Sequence, residues 1–223
     1  MISVTLSIFK GRYRQFLPAF FIFIASFSAH AQDEWIDYVV VKDTGVLSVS
    51  MDLKYYVQKP NYKNLLIVGT QFKPCMKNGL PEPDSLDGLF SFSDSTAAVI
   101  NRITRNELVG ILTYKCLAFD VYYVKDSLGI RENLETMMQR GFENSELYLT
   151  LKQDRNWDYY FTNLLPVNLS EDFLIDHEYL NNLVLLGDDL QGPRKVRHWI
   201  YFKKLKQRIK MTEKLESMKF SID

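Results

Sequence analysis

The sequence predicts an α+β protein, in which helices pack against a mainly antiparallel sheet. Short runs rich in β-branched and aromatic residues alternate with turn residues, and segments with helix-capping residues lie between them. Hydrophobic residues make up 47% of the 223 positions, which is enough for one large core or two small ones. The composition therefore favours a folded protein over a disordered one.

The predicted elements begin with a hairpin. Two β-rich runs, 35–42 and 46–53, flank the turn residues Asp43, Thr44 and Gly45. The core elements are then predicted in this order: strand 65–72, helix 84–102, strands 107–114 and 117–125, helix 127–140 and strand 146–152. This order is the split βαβ, ferredoxin-like pattern, and the N-terminal hairpin would extend or flank its sheet.

Polar residues and glycine mark the predicted helix ends. Asp84 and Ser127 are placed as N-caps, because their side-chain oxygens can accept the free N–H groups of a first turn. Gly141 is predicted to end the second helix. Only Lys115 and Cys116 separate the two middle strands, so these strands should pair as a tight antiparallel hairpin.

A second and shorter block follows the aromatic segment 156–160. We predict a helix over 170–186, a strand over 195–202 and a basic helix that reaches about residue 218. The predicted division of the chain is a signal peptide over 1–31, a ferredoxin-like domain over 33–166 and a partial α/β module over 170–223.

The N-terminus is organised like a cleavable secretory signal peptide. Lys10, Arg12 and Arg14 precede an apolar run over 16–27 and a stretch of small residues that ends at Ala31. A membrane anchor is the weaker interpretation, because this run is shorter than the roughly 20 apolar residues that span a bilayer. We therefore predict cleavage near Ala31 and a periplasmic or secreted protein without a transmembrane segment.

The charge of the mature chain argues against a nucleic-acid partner. Removing the signal leaves 24 Lys and Arg residues against 27 Asp and Glu residues. Dedicated nucleic-acid binders usually carry a strongly basic domain, and this mildly acidic balance is not typical of them.

No motif commits the chain to a reaction. Of the histidines, only His177 and His198 remain after signal removal, and neither lies in a metal-binding or catalytic-triad motif. His177 is interpreted as a solvated residue near a helix start. We therefore expect no metal and no cofactor, and the sequence leans towards a non-enzymatic protein.

Four charged residues, Asp188, Asp189, Arg194 and His198, form a candidate recognition patch. A helix end followed by Gly-Asp-Asp and a strand with Arg and His would bring two carboxylates near two cations. In one interpretation Arg194 binds a partner carboxylate. In the other, the four residues form an internal salt-bridge and capping cluster.

A basic segment and an aromatic segment each leave two interpretations open. Nine residues from Arg194 to Lys214 are Lys or Arg, which suits an acidic protein, a lipid headgroup surface or simple solvation. The residues predicted to form the buried stripe of that basic helix are Leu205, Ile209, Leu215 and Met218. The aromatic residues that would stack on a sugar or peptide, or pack between the two blocks, are Trp157, Tyr159, Tyr160 and Phe161.

Cys75 and Cys116 are a candidate disulfide. Cys75 follows the first core strand and Cys116 lies in the turn that begins the third, so a split βαβ order places both at one edge of the sheet, on neighbouring strands. Export to an oxidising compartment would supply the chemistry. The alternative is a buried thiol at Cys116 and a loop thiol at Cys75.

Two family resemblances cover most of the mature chain. Residues 35–166 resemble the domain-of-unknown-function family 695, through Gly79-Leu80-Pro81, Val109-Gly110 and N-W-D-x-Y over 156–160. The tail is similar to the family named for regulator of ribonuclease activity B, through the spacing G-D-D-x(3)-P-R-x-V-x-H-W-x-Y-F. Members of that second family bind a ribonuclease and alter its activity, and the resemblance implies an α/β sandwich of ferredoxin-like type.

The leading hypothesis is an exported, non-enzymatic protein-binding or regulatory module with an unknown protein partner. One alternative is a hydrolase with a scattered site around Asp188, Asp189 and His198. The other is a regulator that binds a ribonuclease directly.

Overall fold

The computed structural model describes residues 3–8, 35–43, 45–193 and 197–222, and for residues 3–8 and 221 it describes the backbone only. Two predictions lie outside these residues: cleavage near Ala31 and the position of Arg194. The chain divides into two compact units. We call His30–Gln191 the larger unit, and Met1–Ala29 with Gly192–Asp223 the smaller unit.

The secondary structure alternates strands and helices. The strands are β1 Ser3–Ile8, β2 Trp35–Lys42, β3 Gly45–Asp52, β4 Asn64–Gln71, β5 Asn106–Tyr114, β6 Leu117–Val124, β7 Leu147–Gln153, β8 Arg197–Phe202 and β9 Ser221–Ile222. The helices are α1 Lys54–Val57, α2 Pro83–Ile103, α3 Ile130–Gly141, α4 Glu171–Leu185 and α5 Leu205–Ser217, with a π-helical turn over Tyr160–Leu164. The predicted α+β class is confirmed.

The larger unit is built on a six-stranded antiparallel sheet with the order β2-β3-β5-β6-β4-β7. The N-terminal hairpin extends the sheet, because β3 pairs with β5. The third core strand, β6, lies between β4 and β5 and is antiparallel to both. The strand positions predicted from the sequence are thus confirmed to within one or two residues.

The turn between β5 and β6 is bonded to the loop after β4 by hydrogen bonds and a disulfide. Lys115 and Cys116 have φ values of 48° and 62°, the left-handed conformation that a type I′ hairpin turn needs. The Cys116 N–H donates to the Gly79 carbonyl at 2.9 Å, and the Phe72 N–H donates to the Cys116 carbonyl at 3.0 Å. Cys75 and Cys116 are joined by a disulfide, with their Cα atoms 5.7 Å apart.

Each face of the sheet has its own core. On one face, α2 and α3 cover the central strands, and the buried residues there include Leu66, Val68, Phe92, Ile100, Tyr122, Ile130 and Leu134. On the other face, the segment around Trp157 and the π-helical turn packs against Val49, Met51, Leu65, Val121 and Tyr123. The central strands β4 and β6 are therefore covered on both sides.

Trp157 is the largest fully buried side chain of the second core. Its ring stacks on Tyr123, with the ring centroids 3.8 Å apart, and its Nε1–H donates to the Tyr62 carbonyl at 2.8 Å. Tyr160 is equally buried, and its hydroxyl donates to the Asp52 carbonyl at 2.7 Å. These two rings pack within the larger unit and offer no face to a sugar or a peptide.

Two of the predicted caps are wrong. Glu82, not Asp84, is the N-cap of α2, because Pro83 takes the first helical position, where a missing N–H costs nothing. Ser127 does not cap α3, which begins after Gly129 at a φ of 75°. Helix α4 begins where the sequence predicted, and Ser170 is its N-cap, since the Ser170 Oγ accepts the Phe173 N–H at 3.2 Å.

Helix α4 belongs to the larger unit. Val184 is buried with Val39, Val46 and Leu80, and the Asn78 side-chain amide donates to the Val184 carbonyl at 2.7 Å. The sequence predicted that the first domain ends at residue 166 and that the second begins at residue 170. By its contacts the larger unit continues to Gln191, because α4 packs on the N-terminal hairpin.

The smaller unit contains a three-stranded parallel sheet with the order β8-β1-β9. Its core is Leu215 of α5 together with the half-buried Ile200, Phe202 and Ile222. Strand β1 falls inside the segment predicted to be a signal peptide, where the sequence indicated no strand. In the parts of the chain that the structure describes, no helix has the length and apolar content to cross a membrane.

Asp120 gives the first testable prediction. It is buried on β6, burial raises its pKa to about 6, and a hydrogen bond from the Ser93 hydroxyl at 2.6 Å offsets part of that rise. Because the pKa is higher in the folded than in the unfolded state, the contribution to stability is complete below about pH 4 and is lost as the pH rises to about 6.

Raising the pH from 5 to 8 should therefore lower the unfolding free energy of the wild type, relative to that of Asp120→Asn, by about 1 to 2 kcal/mol. Urea unfolding at the two pH values measures this. Asp87→Asn, an exposed position on α2, is the matched control and should follow the wild type. Parallel pH curves for Asp120→Asn and the wild type would contradict the assignment.

The disulfide gives the second prediction. Titration of the unfolded but unreduced protein should find no free thiol, and two free thiols would refute the bridge. In the chain-entropy model a loop of this length is worth about 4 kcal/mol, so replacing both cysteines by serine should lower the unfolding free energy by up to about that amount. The same replacement should have no further effect on protein that is already reduced.

Candidate binding surfaces

The four residues of the predicted recognition patch do not lie in one compact unit. Asp188 and Asp189 end the α4 region of the larger unit, and His198 lies on β8 of the smaller one. Arg194 is outside the described residues. The Oδ1 atoms of Asp188 and Asp189 accept the N–H groups of Leu190 and Gln191, at 2.6 and 3.0 Å. Both carboxylates thus shape the turn, and the patch as one surface stays a prediction.

The inner face of α4 packs on the larger unit. Phe173, His177, Leu180 and Val184 follow one another at spacings of four, three and four, so they share one face of the helix. The His177 ring stacks on Phe173 with the centroids 3.9 Å apart, and its Nδ1 lies 3.0 Å from the Phe173 carbonyl oxygen. The interpretation of His177 as a solvated residue is therefore wrong: it is half-buried beside Tyr38.

The outer face of α4 is also largely apolar, with Asn182 as the polar residue among four, which is unusual for a surface helix. Ile175, Tyr179, Asn182 and Leu186 repeat the same spacing on the opposite side, and we call these four residues the α4 stripe. Tyr179 is 68% exposed and Leu186 is 86% exposed. Leu174 and Leu185 are exposed beside the stripe.

Acidic side chains line both edges of the α4 stripe. Helical geometry puts Asp172 and Asp176 along one edge and Glu171 and Glu178 along the other, and all four are exposed. Helix α4 contains no Lys or Arg. Covering one such apolar side chain is worth roughly 1.5 to 3 kcal/mol, so a contiguous apolar patch with an acidic rim is typical of a binding surface.

Helix α5 buries a different stripe from the predicted one. Leu215 is buried as predicted, but Leu205, Ile209 and Met218 are half-exposed or more, and the half-buried Met211 accompanies Leu215 instead. The physical reason is that α5 has two apolar edges and the small sheet covers only the one that includes Leu215.

The uncovered edge of α5 combines apolar and basic side chains. Leu205 and Ile209 lie one turn apart, with exposed fractions of 58% and 50%. A shallow groove of about 570 Å³ runs along this edge, lined by Leu205, Lys206, Ile209, Lys210 and Glu213. We call these five residues the α5 groove.

Strand β8 presents a second uncovered surface in the smaller unit. Ile200 and Phe202 point towards the core with Leu215, so alternation turns Arg197, Trp199 and Tyr201 to the other face, where all three are exposed. Trp, Tyr and Arg are the residue types that most often dominate protein interfaces. Sequence reasoning did not single out Trp199, although the alternation in H-W-I-Y-F carried that signal.

The two units differ in sign of charge. Residues 30–191 contain 24 acidic and 14 basic residues, for a net charge of −10. Residues 192–223 contain ten basic and three acidic residues, for a net charge of +7. Each unit is therefore suited to a partner surface of opposite charge.

Two features of the described residues concern metal binding and cavities. No group of three His, Cys, Asp or Glu side chains among them could hold a metal ion. A cavity of about 540 Å³ lies at the start of α2, next to Thr70, Ser85 and Glu146. Ser85 donates to the Glu82 carbonyl at 2.7 Å, and Glu146 accepts from Gln71 and Tyr148, so these polar groups serve the fold.

The fold and these surfaces define an α+β protein with exposed amphipathic helix faces. The model of a family of unknown function, DUF695, matches residues 33–165, which is more than half of the chain, and the protein belongs to that family. No curated protein and no solved structure matches the chain. The family match ends before α4, so the resemblance of residues 170–223 to the ribonuclease regulators stays a prediction.

His198 gives the third prediction. Its side chain is exposed, so His198→Ala should change the unfolding free energy by less than about 0.5 kcal/mol. If His198 belongs to a recognition patch, His198→Ala should weaken partner capture, and Arg194→Ala should weaken it as well. Leu215→Ala, in the core of the same unit, is the contrast and should cost about 2 to 5 kcal/mol. A large drop in thermal midpoint for His198→Ala would instead indicate an internal capping cluster.

Proposed function

We propose that the protein is exported and acts as a non-enzymatic binding protein whose main contact surface is the α4 stripe. The observation that carries this proposal is the exposure of Ile175, Tyr179 and Leu186 on the outer face of α4. A helix that is apolar on both faces is usually covered on both, and the larger unit covers one.

The fold supports binding as the activity. The order β5-β6-β4-β7, with α2 and α3 on one face, is that of a ferredoxin-like split βαβ unit, which we propose as the core of the larger unit. A partial module similar to regulator of ribonuclease activity B would follow it. That family acts by binding another protein, which favours the same kind of role here.

Export is supported by the N-terminal sequence. A basic segment, an apolar run and a small-residue site occur in the order of a secretory signal. The disulfide between Cys75 and Cys116 suits an oxidising compartment. Cleavage near Ala31 would also remove β1 from its place between β8 and β9, so the mature smaller unit would consist of β8, α5 and β9.

The partner that fits the α4 stripe is a protein with an apolar ridge and basic edges. Tyr179 is the expected anchor, because a tyrosine offers a large rigid surface and a polar tip at a small cost in conformational entropy. The acidic rim would select a basic partner and speed the encounter, and the apolar stripe would supply most of the affinity.

Site-specific crosslinking tests this surface. A photo-crosslinking benzoylphenylalanine at position 179 should form an adduct in intact cells, and the reversals Asp176→Lys with Glu178→Lys should abolish it. Position 56 is the matched control, since Tyr56 is an exposed tyrosine of the same unit, 54% exposed, on α1. Equal adducts at the two positions, or none at 179, would contradict the proposal.

Export has its own test. Cleavage after Ala31 leaves Gln32 as the first residue, so the intact mass of protein from the envelope or the medium should equal that of residues 32–223. A mass equal to the full 223-residue chain would exclude cleavage.

A further inference from the structure

We propose that the α4 stripe of one copy binds the α5 groove of a second copy, so that two chains form a symmetric dimer through two equivalent α4–α5 contacts. The inference rests on the proposed function, because it assigns a partner to the same α4 surface.

The two helix faces have matching apolar patterns. Ile175 and Tyr179 lie one turn apart on α4, as Leu205 and Ile209 do on α5. Side chains four residues apart form the ridges that pack into the grooves of a facing helix. The groove along α5 is shallow and open, which suits such a ridge.

The charges beside these patterns are opposite. Asp176 and Glu178 flank the α4 stripe, and Lys206 and Lys210 belong to the α5 groove. Within the groove only Glu213 is acidic. Lys206 and Lys210 are four residues apart and share one edge of the α5 groove, so either direction of helix packing can bring one acidic edge of the α4 stripe beside them.

The same charges disfavour the other pairings of these helices. Two copies of α4 would bring acidic rims together, because α4 has no Lys or Arg to relieve the repulsion. Two copies of α5 would bring Lys206 and Lys210 together. The complementary pairing is thus the one that covers both apolar faces without opposing like charges.

Reciprocal use of both faces closes the assembly. Each chain carries one α4 stripe and one α5 groove, so a dimer that uses each of these faces once per chain would leave none of them open. The larger unit at −10 and residues 192–223 at +7 would then meet across each contact. Apolar burial supplies the affinity, since exposed ion pairs contribute little each, and the charges decide which faces meet.

Charge exchange tests the pairing. The chain is purified with the N-terminus that the mass measurement gives, and its dimerisation is followed by sedimentation over a range of concentrations. Lys206→Glu with Lys210→Glu should weaken the dimer by about tenfold or more, and Asp176→Lys with Glu178→Lys should do the same. The variant that combines all four changes should recover wild-type affinity.

Two controls make the result specific. Lys203→Glu with Lys214→Glu changes the net charge equally at exposed basic positions outside the α5 groove, and should leave the dimer unchanged. Crosslinking at position 179 in a mixture of isotopically light and heavy chains should give adducts that join α4 of one copy to α5 of the other. Circular dichroism of each variant checks that it is folded.

The inference is overturned if the chain sediments as a monomer at every concentration, if neither reversal weakens the dimer, or if the combined variant does not recover. The inference is also overturned if every adduct joins two segments of the same isotopic label and none joins a light chain to a heavy one. If position 179 instead crosslinks to a different protein, the dimer is excluded and the proposed binding function of α4 stands.

Discussion

Burial of β6 on both faces is the constraint around which the larger unit is organised. Residues 120–124 are all buried, and consecutive side chains of a strand point to opposite sides of a sheet. Tyr123 therefore needs cover on one side and Tyr122 on the other. Helices α2 and α3 cover the Tyr122 side, and Trp157 with the π-helical turn covers the Tyr123 side. The same burial acts on the carboxyl group of this stretch, because it raises the pKa of Asp120 to about 6.

The strands of this sheet were predictable because their signals are local. Alternation and short turns located β2, β3, β5 and β6, and two residues between β5 and β6 were enough to predict their pairing. The helix starts were harder to predict, because Asp84 and Ser127 are residue types that usually make good N-caps. Pro83 and Gly129 override them, because proline favours the first helical position and glycine tolerates a left-handed conformation.

The candidate surfaces were harder to predict, because a single sequence does not say which apolar edge its neighbours cover. Leu205 and Ile209 have the same spacing as a buried pair, yet the small sheet covers the edge with Leu215. On α4, the polar residues at 170–172 and the glycine at 187 marked the start and end of a helix without indicating which of its faces is covered. The aromatic residues of 156–160 stand out in the sequence because their side chains are large, and Trp157 among them is buried.

In the proposed binding role, the acidic rim of α4 would reconcile solubility with binding. Ile175, Tyr179 and Leu186 would promote indiscriminate association if they were exposed alone, because apolar burial is non-directional. The four carboxylates along the edges would make that association selective. A partner surface without basic edges would remove water from these carboxylates and offer no opposite charge in return, which costs free energy. The excess of acid over the whole larger unit extends the same discrimination beyond contact distance, within a screening length of about 8 Å at physiological salt. Within α4 itself no Lys or Arg neutralises this rim, and the net positive charge of the chain is concentrated in residues 192–223.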